Sequence, residues 1–134
     1  MAGRRDPYGP VHTAGNAVPP LDDQLAGLLD DTAGIHPGID LIREGLGLIA
    51  LDRLTRDQTQ TILYTLAGAD GLDLATGIAL LVQRLTNPDS NPCLRALPLD
   101  RQMELQHLGK LHAHDTADTD RQNIAEAIAL IDPT

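Results

Sequence analysis

Residues 38–54, GIDLIREGLGLIALDRL, constrain the fold more than any other stretch of the chain. At about 100° per residue, Ile39, Ile42, Leu46, Ile49 and Ala50 fall on one side of a helix. Leu41 and Leu48 land nearly opposite, and Leu51 and Leu54 fall between. Only Asp40, Arg43, Glu44, Asp52 and Arg53 interrupt the apolar surface. A surface helix carries one apolar stripe, whereas a helix that is apolar almost all round is a buried one. The stretch therefore predicts a central helix that the rest of the chain covers. Gly45 and Gly47 each cost about 1 kcal/mol against alanine inside a helix. Close approach of neighbouring helices is a reason to accept them.

The remaining elements read as amphipathic covers. A short helix is expected over 20–29, with Pro20 at its first position and Leu21, Leu25, Leu28 and Leu29 as a narrow stripe. Asp22 and Asp23 suit the positive end of its dipole. Gly34 and His36-Pro37-Gly38 make the turn into the central helix. Thr55-Arg56-Asp57-Gln58 has the form of a capping box. It opens a helix to about Ala69 that turns Thr59, Ile62, Leu63 and Leu66 inward. Asp70 or Asp73 then caps a helix running to Leu85, which packs Leu74, Ile78, Leu81, Val82 and Leu85. Leu72, Ala79 and Leu80 give that helix a second, weaker apolar edge.

Asn87 to Pro92 is a loop by composition. A helix over 100–113 carries Leu105, Leu108 and Leu111, and the acidic run 115–118 reads as loop. Thr119-Asp120-Arg121-Gln122 repeats the capping-box chemistry and starts a last helix to Ile131, with Ile124, Ala127, Ile128 and Ile131 inward. No segment alternates apolar and polar residues as a half-buried strand does. The expected fold is all-α: one bundle of about six helices around a buried central helix. Residues 20–134 form the domain, and residues 1–19, rich in Gly and Pro, form a flexible or extended N-terminal tail.

Composition narrows the function classes. The chain has no Phe or Trp, and Tyr8 and Tyr64 are its only aromatics. Stacking on bases and cation–π recognition both need rings. The formal net charge is −9, and residues 21–40 carry five Asp with no Lys or Arg. No segment offers the basic face that nucleic-acid binding uses, and anionic membrane surfaces are disfavoured for the same reason. A single cysteine, Cys93, fits a reducing cytoplasm. Neither a signal peptide nor a membrane-spanning window is expected.

Candidate chemistry is sparse. His107, His112 and His114 beside Asp115 and Asp118 bring metal-ligand types together. The H-x-x-x-H spacing that supplies two ligands from one helix is missing, so no metal site is expected. Cys93 has Asp89 and Arg95 as charged sequence neighbours and reads as a small hydrophobe rather than a nucleophile. Gly45-Leu46-Gly47 and Gly68-Ala69-Asp70-Gly71 lack the preceding strand and following Lys-Ser or Lys-Thr of a phosphate loop. Glu44, Glu104 and Glu126 show no paired-carboxylate spacing. No catalytic residue, cofactor or metal is expected.

The function expected is a non-enzymatic helical module that binds protein, with self-association as a homodimer through Leu72, Ala79 and Leu80. The alternative is a DNA-associated regulator built on the 56–85 helix pair. Against it, the second helix begins Leu72-Asp73-Leu74-Ala75-Thr76-Gly77, where base readers place Arg, Lys, Asn or Gln.

Overall fold

The computed structural model describes residues 17–69 and 71–131, all helix, turn and loop with no strand among them. The N-terminal tail expected over 1–19 therefore falls, up to residue 16, outside the described residues. The helices are α1 (Asp23–Asp31), α2 (Pro37–Leu51), α3 (Arg56–Ala67), α4 (Leu74–Leu85), α5 (Leu99–Ala117) and α6 (Gln122–Ile131), with a 3-10 turn at Pro92–Ala96 before α5. The chain divides into two compact units, Met1–Leu54 and Thr55–Thr134.

The first unit holds α1 and α2. Gly34 takes a left-handed φ of 75°, and its N–H donates to Asp40 Oδ1 at 2.9 Å. His36 caps α2 by accepting from Gly38 N at 2.9 Å through Nδ1. Arg43 then ties the hairpin, pairing with Asp40 at 3.3 Å and donating from Nε to the Leu29 carbonyl. Leu29 is the buried residue of α1.

The expected enclosure of α2 is not met. None of its residues is buried, and Leu48 is 74% exposed. Among the described residues of its unit the other helix is α1, and its nine residues and three leucines are too little surface to cover fifteen residues on every side. Gly45 and Gly47 likewise have no close neighbour, since a Cβ at either would meet nothing within 4 Å.

In the second unit the contacting pairs are α6 with α3, α3 with α4, and α4 with α5, the last being the most extensive. The pairs at the two ends run antiparallel. Gly68, at the end of α3, meets Ile124 at the start of α6, and Gln60 Nε2 donates to the Ile128 carbonyl at 2.9 Å. Gly109 of α5 lies against Gln83 and Thr86 at the end of α4, while Arg121, beyond the end of α5, reaches Asp73 at the start of α4.

Small residues make the α4–α5 seam. Thr76 and Ala79 on α4 and Gly109 and Ala113 on α5 are the buried residues of these two helices. A Cβ at Gly109 would collide with the Thr86 hydroxyl and sit 3.4 Å from Gln83 Cα.

Both capping boxes face the same test, and one passes. Thr55 Oγ1 accepts from Gln58 N at 3.1 Å, and Gln58 Oε1 accepts from Thr55 N at 2.9 Å. At the second site α5 runs on to Ala117, through the stretch expected to be loop. Thr119 is consumed by that helix end, its hydroxyl donating to the Asp115 carbonyl at 2.9 Å. Asp120 instead accepts from Gln122 N at 2.8 Å. Packing of Gly109 and Ala113 on α4 carries α5 past the acidic residues, so tertiary contact overrides composition.

Two predictions rest on this fold. Thr55→Ala is expected to cost about 0.5–2 kcal/mol, as N-caps do, and Thr119→Ala clearly less; denaturant melts followed by circular dichroism compare them. Gly→Ala inside a helix ordinarily stabilises by about 1 kcal/mol, and Gly47→Ala should do so. Gly109→Ala should instead destabilise by about 1–3 kcal/mol through overpacking. Equal effects at the two glycines would show that α5 does not approach α4 this closely.

Candidate functional site

A row of half-exposed apolar residues lies on α4, on the face turned away from α5. Along LATGIALLVQRL, Thr76, Ala79, Gln83 and Thr86 share one side at about 100° per residue, the side that meets α5. Leu74, Ile78, Leu81 and Leu85 fall nearly opposite and are 47 to 55% exposed. The sequence expectation is reversed here. The bulky stripe, expected to pack inward, is half-exposed, and the side that carries Thr76 and Ala79 supplies the contact. The cause is that Gly109 and Ala113 present a surface close enough only for small residues.

The three expected interface residues are separated by this reversal. Ala79 is 2% exposed and belongs to the packed seam, out of a partner's reach. Leu72 is 86% exposed, in the turn before α4. Leu80 is exposed as well, off the line of the stripe.

Asp73 and Arg121 hold α4 in place. The turn from α3 is made by Gly71, whose φ is 77°, and Leu72 N donates to the Ala69 carbonyl at 2.8 Å. Asp73 follows as N-cap of α4, its carboxylate accepting from Thr76 N at 2.9 Å and from Thr76 Oγ1 at 2.7 Å. The second oxygen accepts from Ala69 N at 3.2 Å.

Arg121, 48 residues later, closes the site with a two-pronged contact. Nε donates to Asp73 Oδ2 at 2.9 Å and Nη2 to Oδ1 at 3.3 Å. Its Nη1 donates to the carbonyls of Thr116 and Thr119, both at 3.1 Å. The Asp73 side chain is fully sealed from solvent and that of Arg121 is 10% exposed. The guanidinium hydrogen bonds and the Thr76 donors hold the Asp73 carboxyl well below the usual carboxylate range, against the opposing effect of burial. Sequence named Asp73 as a possible cap; nothing local announces a partner at such separation.

The far end of α4 is held by its own loop. Ser90 Oγ donates to the Arg84 carbonyl at 2.7 Å and Asn91 Nδ2 to the Leu85 carbonyl at 2.8 Å. Arg95 of the 3-10 turn donates from Nε to the Pro88 carbonyl at 2.8 Å. The stripe is thus carried by a helix fixed at both termini.

The other candidates stay apart. His107, His112 and His114 are exposed on α5, and His114 Nε2 lies 3.1 Å from Asp118 Oδ2. Among the described residues no group of three His, Cys, Asp or Glu is placed to hold a metal ion. Cys93 is exposed, with Sγ donating to Asn91 Oδ1 at 3.4 Å. A shallow groove on α5 and the loop before it is lined by Leu97, Arg101, Glu104, Leu105 and Leu108. No described helix is long and apolar enough to cross a membrane. Comparison with protein-family models, curated proteins and solved structures returns no match.

The buried pair gives a pH prediction. The folded protein keeps Asp73 ionised at lower pH than the unfolded chain does. On acidification the unfolded state takes up that proton first, so stability present above about pH 4 is lost progressively below it. Asp73→Asn should cost about 3 kcal/mol or more at neutral pH by leaving Arg121 against a neutral group. It should also flatten the fall in stability below about pH 4. A wild-type slope retained in Asp73→Asn would assign the acid sensitivity elsewhere.

Proposed function

We propose that this chain works by binding protein, as an acidic, non-enzymatic helical interaction or assembly module. The observation that carries the reading is the half-exposed stripe of Leu74, Ile78, Leu81 and Leu85 on a helix held at both ends. Contiguous exposed apolar surface of this kind usually marks an interface. Among the described residues the apolar ones buried outright are few and mostly small: Leu29, Ala69, Ala79 and Ala113. Covering the stripe is therefore a larger gain here than in a domain with a full core. The net charge of −9 favours basic partner surfaces through steering and disfavours nucleic acid and anionic membranes. The lone exposed thiol suits a reducing compartment such as the cytoplasm.

The test pairs affinity capture with a low-salt gel shift. Wild-type protein is expected to capture a defined protein set from its native host that Leu81→Asp, still helical by circular dichroism, fails to capture. Neither form is expected to retard duplex DNA. Retardation that strengthens steeply as salt falls would favour a DNA-associated regulator built on α3 and α4. An identical set captured by the folded variant would remove the stripe from the reading.

A further inference from the structure

We draw no further inference here: the strongest candidate, the half-exposed apolar stripe of Leu74, Ile78, Leu81 and Leu85 on α4, belongs to the site already described, and nothing in the structure shows what covers it.

Discussion

The Asp73 carboxylate is the point on which the second unit turns. One side chain caps α4, accepts from the end of the α3 turn at Ala69 and receives the guanidinium of Arg121. Arg121 in turn takes up two carbonyls from the α5–α6 junction. The end of α3, the start of α4 and the α5–α6 junction are thereby brought to one buried ion pair. Burying two charges is costly unless geometry is good and the other donors and acceptors are satisfied. Here both carboxylate oxygens and all three guanidinium nitrogens have partners. Removing one partner of such a pair is the costly change, because it leaves the other charge buried and uncompensated.

What the pair positions is a close contact made of small residues, and that contact decides which face of α4 meets solvent. Thr76 and Ala79 on α4 and Gly109 and Ala113 on α5 are buried, and Gly109 lies against Gln83 and Thr86, so a larger side chain at Gly109 would hold the helices apart. Hydrophobic periodicity ranks faces by bulk, so it assigns the Leu and Ile stripe to the interior. The rule fails where backbones approach closely, since there van der Waals contact is won by removing side chains instead of adding them. Gly109 is the position that carries the signal, in a helix otherwise reading as Leu105, Leu108 and Leu111 inward, of which Leu108 and Leu111 are exposed.

Local chemistry was otherwise well written in the chain. The helical class follows from periodicity, and the Thr55 box is present in both its hydrogen bonds. The Thr119 box shares the same side-chain types yet forms no cap, because its threonine lies directly after the C-cap of a longer α5 and its hydroxyl is committed to the Asp115 carbonyl. A box needs a free turn in front of it, and that depends on where the previous helix stops. Long-range terms stay invisible at this level: Asp73 and Arg121 are ordinary residues until the fold sets them 2.9 Å apart. Likewise α2 reads as a core helix because its own residues say so, while burial depends on what surrounds it. Among the described residues of its unit the other helix is α1, which is short.

The two faces of α4 are linked by arithmetic as well as by packing. Twelve residues hold a fixed number of side chains, and assigning Thr76 and Ala79 to the inner face leaves Leu74, Ile78, Leu81 and Leu85 for the outer one. A helix meant for solvent on that side would carry Lys, Glu or Gln there at little cost, as all three are good helix formers. The chain has nineteen acidic residues to draw on, and none stands between Leu74 and Leu85. The outer stripe of a strongly acidic protein is thus left without charge. The close inner contact and the half-exposed apolar stripe are then two consequences of one distribution of side chains along α4.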